Sequence, residues 1–147
     1  MSEPWKTPVL VGVIGACSVG WGCVSPARDS VSWRDKELRV VRIVSSNAPV
    51  PIPEGVLITF RWAADGRISG KAPVNRYFGT LEESKAGQLL WKGGVMSTRM
   101  GGAPALMALE ATYLTVLGSA SRSTSREVAL VLASPDGKSV VELVPKP

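Results

Sequence analysis

Two Asp-Gly dipeptides, Asp65-Gly66 and Asp136-Gly137, each stand between runs in which apolar residues alternate with others. Asp-Gly is a turn signal of the primed hairpin type, since both residues tolerate positive φ. Ahead of the first turn, Val56, Ile58, Phe60 and Trp62 share one face of a strand over Val56–Trp62, and Leu57, Thr59 and Arg61 take the other. Arg67–Ala72 then returns antiparallel. Ahead of the second turn, Glu127–Ala133 alternates Val128, Leu130 and Leu132 against Ala129 and Val131, and Ser139–Val144 returns. Two such hairpins commit the chain to an antiparallel sheet.

The rest of the body adds to that sheet. Trp33–Ser45 is rich in β-branched residues, which favours strand, and its alternation slips at Val40-Val41, where a bulge fits. Asn47–Gly55 carries Pro49, Pro51 and Pro53; three missing donors make it a polyproline-like loop or a capped edge. Asn75–Leu81, Gln88–Trp91 and Val95–Thr98 read as short strands punctuated by Gly79, Gly87 and Gly93-Gly94. One helix is expected, over Ala103–Leu117. There Leu106, Leu109, Tyr113, Leu114 and Leu117 form one apolar stripe, Pro104 suits the first turn and Gly118 the end. The fold class is α+β: a strongly bent, open barrel-like antiparallel sheet of about seven or eight short strands with one α-helix near 103–117.

The inventory excludes much chemistry. The chain has 147 residues and no histidine. It therefore lacks the commonest general base and imidazole ligand, and can build no Ser-His-Asp or Cys-His triad. The net charge of +5 raises nucleic acid or anionic lipid as partners, but the cations do not cluster into a nucleic-acid footprint. No nucleic-acid partner, cofactor or metal is expected. Ser69 lacks a Gly-x-Ser-x-Gly elbow, and Lys71 shares its strand parity without other support for a Ser-Lys pair.

Residues 1–30 read as an export segment and tether, with the folded domain over 31–147. Val9–Ala16 is uncharged and ends in small residues before Cys17. Pro8–Val24 gives 17 weakly apolar residues, short of the roughly 20 of a spanning helix, though a short anchor stays open. Ile14-Gly15-Ala16-Cys17 resembles a bacterial lipobox, which makes Cys17 the expected lipid attachment. Cys23, after bulky Trp21, is the alternative, and a plain signal peptide cut further on is the third reading. Ser18 after Cys17, by resemblance to Gram-negative lipoproteins, directs the protein to the outer membrane, facing the periplasm or the surface. Gly20, Gly22, Ser25, Pro26 and Ser30 suit a tether.

Several separated motifs resemble one family. The run Phe60…Asp65-Gly66-Arg67-Ile68-Ser69-Gly70…Asn75-Arg76-Tyr77-Phe78-Gly79-Thr80 is similar to the core of the META domain, a family that includes the HslJ-like proteins. Ser97-Thr98-Arg99-Met100, then Leu106-Met107, Leu109-Glu110, Tyr113-Leu114 and Leu117, follow in the family's order and spacing. The resemblance covers roughly Trp33–Val144. Where the family usually has Gly-Cys-Asn and Met-Ala-Cys, this chain has Pro73-Val74-Asn75 and Met100-Gly101-Gly102. Losing both cysteines together implies that Val74 and Gly102 lie within disulfide reach.

The resemblance implies a cell-envelope protein linked to stress tolerance and without enzymatic activity. The expected function is a non-enzymatic envelope lipoprotein that supports envelope integrity through contacts with an envelope protein or lipid. The alternative is a lipid- or hydrophobic-peptide-binding assembly pilot, which needs an apolar cavity between helix and sheet. The motif residues Gly70, Asn75, Arg76, Gly79, Ser97, Thr98, Arg99 and Glu110 admit two readings. In one, a polar site binds an anion through Arg76 and Arg99. In the favoured other, they are structural: Asn75 takes a tight turn, and Arg99 pairs with Glu110 or a backbone carbonyl. Phe60, Trp62, Tyr77, Trp91 and Tyr113 are expected in the core. An enzyme would need convergent carboxylates among Asp65, Glu82, Glu83 and Glu110.

Overall fold

The computed structural model describes residues 32–147; the expected leader, both cysteines and the tether lie outside the described residues. Nine strands and one helix follow in the order β1 (Glu37–Ser45), β2 (Ala48–Val50), β3 (Thr59–Trp62), β4 (Arg67–Lys71), β5 (Arg76–Glu83), β6 (Leu89–Ser97), α1 (Pro104–Gly118), β7 (Arg122–Ser125), β8 (Leu130–Ala133) and β9 (Val140–Pro145). They form one sheet in the order β6-β5-β4-β3-β1-β9-β8-β7, with β2 paired to β1. Every strand pair is antiparallel.

The sheet curls far enough for its two ends to touch. Leu89 N–H donates to Ser121 O and Ser123 N–H to Gly87 O, each at 2.8 Å, around a Gln88–Arg122 bridge. This links the start of β6 to β7 and makes a half-barrel. α1 packs inside the curl against β1, β6 and β9. The inward residues Leu38, Phe60, Trp62, Ile68, Tyr77, Leu81, Tyr113, Leu117 and Leu143 are at most 1% exposed and belong to one core. Fully burying side chains of this size stabilises by roughly 1.5–3 kcal/mol each, before entropy is counted.

Both Asp-Gly turns stand where the sequence puts them but not in the expected primed form: only the glycines take positive φ, Gly66 at 91 and Gly137 at 71, and their N–H groups close back on Ala63 O and Ser134 O. The slip at Val40-Val41 is a bulge: the β1–β9 register shifts between Val40 and Arg42, and Val41 turns outward. Other boundaries moved. The first strand of the Asp65-Gly66 hairpin covers only Thr59–Trp62, short of the expected start at Val56. The Gly93-Gly94 pair does not end a strand; both take positive φ within a continuous β6, opposite a register shift at Phe78/Thr80. The triple-proline stretch contributes the short edge β2. β7 is Arg-Ser-Thr-Ser, too polar to signal a strand, and is held by pairing with β8. In α1 the buried face is Leu109, Glu110, Tyr113, Val116 and Leu117, with Leu106 and Leu114 at its margin.

Candidate functional site

The motif residues Asn75, Thr98 and Glu110 converge on one knot, buried at Asn75 and Glu110 and exposed at Thr98. Asn75 stands just after the β4–β5 turn, Thr98 just after β6, and Glu110 on the inward face of α1. Asn75 is 1% exposed and Glu110 4%. Pro73 has no N–H, and the turn's remaining donors aim at the helix. Val74 N–H and Asn75 N–H donate to Glu110 Oε2 at 2.8 and 2.7 Å, and Asn75 Nδ2 donates to Glu110 Oε1 at 2.6 Å. Asn75 Nδ2 also donates to Met100 O at 3.1 Å. Asn75 Oδ1 accepts from Thr98 Oγ1 at 2.9 Å and Met100 N–H at 2.6 Å. Both donors and both acceptor positions of the amide are thus filled. A carboxylate buried this deeply is tolerable because three N–H groups converge on it. The knot fastens the β4–β5 turn and the β6–α1 loop to the helix.

A second polar chain lies deeper. Tyr77 Oη donates to Thr59 O at 2.5 Å and lies 2.8 Å from Tyr113 Oη, with the rings edge to face. Burial, and then Tyr113 itself, pushes the Tyr77 hydroxyl pKa well up; burial does the same for Tyr113. Gly70 leaves room for this chain: a Cβ there would overlap Thr59 O and stand 2.6 Å from Tyr77 Oη. Gly79 likewise lies under Trp91, whose ring carbon would be 3.1 Å from an added Cβ.

The arginines of the motif do not join the knot. Arg76 and Arg99 are exposed, and Glu110, one of the two partners expected for Arg99, bonds instead to Asn75 and backbone N–H groups. The reason is geometric: the turn's own donors reach the carboxylate first. Ser97 faces Tyr77 across β5–β6. Phe60, Trp62, Tyr77 and Tyr113 are core, and Trp91 is half-buried with its Nε1 sealed from solvent. Ser69 and Lys71 point outward from β4.

The carboxylates are dispersed among separate partners. Asp65 pairs with Arg67, whose backbone N–H and side chain hold its pKa below the usual value. Glu82 pairs with Lys92 at 3.4 Å and Glu83 with Arg34 at 3.2 Å. Among the described residues, no group of three metal-ligating side chains could hold an ion.

Two concave surfaces escaped the sequence reading. A cleft of about 640 Å³ opens between Trp33 and Arg34, the β5–β6 hairpin and β7. In it Arg34 stacks 3.6 Å above Trp62, Glu83 accepts from Ser123 Oγ, and Trp33 Nε1 donates to Ser125 Oγ at 2.7 Å. These residues lie up to 92 positions apart in sequence, so no motif could announce them. The second is a groove of about 440 Å³ on the outer face of β3–β6. Register places Arg61, Ser69, Phe78 and Met96 in one row across four strands, and Arg67, Thr80 and Lys92 in the next. Phe78 is 46% exposed and Met96 53%.

Comparison with known proteins agrees with this architecture. The META domain model matches residues 33–146. No curated protein matches the chain. Among solved structures, a protein from Burkholderia xenovorans superposes with a TM-score of 0.63 at 19% identity, covering 78% of this chain and 83% of its own. A DUF4847-family protein from Bacteroides vulgatus gives 0.57 at 13% identity, covering 76% and 93%. At these identities the likeness is one of fold.

Proposed function

This chain belongs to the META domain family, and on that premise we propose that it is a non-enzymatic cell-envelope lipoprotein. It is anchored through Cys17 to the outer membrane and supports envelope integrity by contacts made with its outer surface. One observation carries the non-enzymatic part: the polar core of the family motif is spent internally. Every hydrogen-bonding position of the Asn75 amide is occupied by Glu110, Thr98 and Met100, so no donor or acceptor of that amide is left for a substrate. The absence of histidine and the separate pairing of Asp65, Glu82 and Glu83 argue the same way.

A carrier or pilot that holds lipid or a hydrophobic peptide needs space between helix and sheet. Tyr77, Tyr113 and Leu117 occupy that space at no more than 1% exposure, which favours surface contacts. The lipoprotein address rests on Ile14-Gly15-Ala16-Cys17. Intact mass of the membrane-extracted protein tests it. The expected species starts at Cys17 and carries two or three acyl chains, since one chain alone binds a bilayer only marginally. A start at Cys23 would move the attachment, and a chain without acyl mass would refute the anchor.

A further inference from the structure

We propose that the outer face of β3–β6 is a docking surface for an anionic phospholipid bilayer. Apolar side chains stand at its centre: Phe78 and Met96 are cross-strand neighbours, and Leu90 stands outward from the same edge at 56% exposure. Cations surround them. Arg61 and Arg67 stand on one side, Lys92 on the other, and Lys71 and Arg76 form the next row. With Arg39 and Arg42 on β1, the outward positions of β1 and β3–β6 and the Asp65 turn hold seven cations against Glu37, Asp65 and Glu82. Those three carboxylates are already paired with Lys146, Arg67 and Lys92. Among the described residues Arg39, Arg61, Lys71 and Arg76 have no ion pair, so this face holds most of the chain's net charge of +5.

Charge complementarity requires an anionic partner, and the apolar centre requires one with an apolar layer beneath its charge. A bilayer supplies both: headgroup phosphates meet the rim while Phe78, Met96 and Leu90 enter the acyl boundary. An acidic peptide would supply the charge but fits a trough along one strand better than rows that cross four. The membrane's nearness rests on the anchor proposed above. The 14 residues between Cys17 and Ser32 reach at most about 50 Å, which keeps the domain within range of a bilayer.

The test removes the lipid attachment, and the two label positions separate docking of this face from insertion by the apolar Val9–Ala16 segment, so that the two proposals fail separately. The full chain with Cys17→Ser, Cys23→Ser and Met96→Cys carries an environment-sensitive fluorophore at position 96, and a second chain carries it at Lys138→Cys. Each is mixed with phosphatidylcholine vesicles with and without phosphatidylglycerol. A blue shift is expected at 96, and not at 138, only with phosphatidylglycerol, and 0.5 M salt should reverse it. Arg61→Glu with Lys92→Glu should weaken vesicle binding about tenfold or more, each surface cation being worth roughly 1 kcal/mol. No shift at 96, an equal shift at 138, or a shift with polyglutamate but not with vesicles would overturn the proposal.

Discussion

The Cβ of Val74 lies 3.5 Å from where a Cβ on Gly102 would stand. That separation falls at the near edge of the Cβ–Cβ range a disulfide spans. The β4–β5 turn and the β6–α1 loop thus meet at Val74 and Gly102, the two positions where the resemblance implies a cysteine pair, and the Asn75 amide ties the same turn to Met100 and Glu110 beside them.

Restoring the pair should form a bond. With Cys17 and Cys23 changed to Ser, Val74→Cys with Gly102→Cys should oxidise spontaneously and lose both free thiols. It closes a loop of 28 residue steps, for which chain entropy gives about 3.6 kcal/mol of stabilisation, reversed by reductant. Two thiols that persist in air would show that the loops lie farther apart than described.

Glu110→Ala should be severely destabilising. It strands the Val74 and Asn75 N–H groups and one of the two Asn75 Nδ2 donors in a buried site, the other keeping Met100 O. Unsatisfied buried groups cost about 1–3 kcal/mol each, so chemical denaturation should show a loss of about 3 kcal/mol or more. Arg99→Ala, at an exposed position outside the knot, should change stability by less than about 0.5 kcal/mol. Equal losses for the two variants would contradict the description of the knot.

Gly70→Ala should cost about 3 kcal/mol, the upper range for overpacking, because the backbone of Thr59 cannot retreat from the new methyl. Adding Tyr77→Phe removes the hydroxyl that crowds the site but neither the ring carbon 2.7 Å from the new Cβ nor the Thr59 carbonyl, so denaturation should show only partial recovery. Full recovery would place the clash wholly on the tyrosine.

Stability should hold up to about pH 10 and fall above it. The folded-state pKa values of Tyr77 and Tyr113 are raised above the ordinary value of 10.0, so the folded state keeps protons that the unfolded chain releases. The chain has only these two tyrosines. Tyrosinate absorbance should therefore appear in one step with loss of near-ultraviolet circular dichroism. A tyrosine that titrates near pH 10 in the folded protein would show that one hydroxyl reaches solvent.

Hairpins and helix were legible because their signals are local. Asp65-Gly66 and Asp136-Gly137 set turns, and the spacing of Leu109, Tyr113 and Leu117 sets a helix face. β7 was not, because Arg122–Ser125 is polar and becomes a strand only by pairing with Leu130–Ala133. The knot was half legible. The motif named Asn75, Thr98 and Glu110, yet nothing local says that a turn beginning at Pro73 sends its N–H groups 35 positions onward to a helix carboxylate. The outer face was invisible as a patch, since Arg61, Phe78 and Met96 become neighbours only through register.

The central claim is that the motif fastens the fold and that the surface does the work. Asn75→Ala alone should lower the melting temperature and fail to restore growth under envelope stress in a strain lacking this protein. Asn75→Ala with Val74→Cys and Gly102→Cys replaces the knot by a covalent link between the same loops. The account predicts that this triple variant regains both its melting temperature and its growth. A triple variant that folds stably yet fails to support growth would make Asn75 a functional residue and contradict the account.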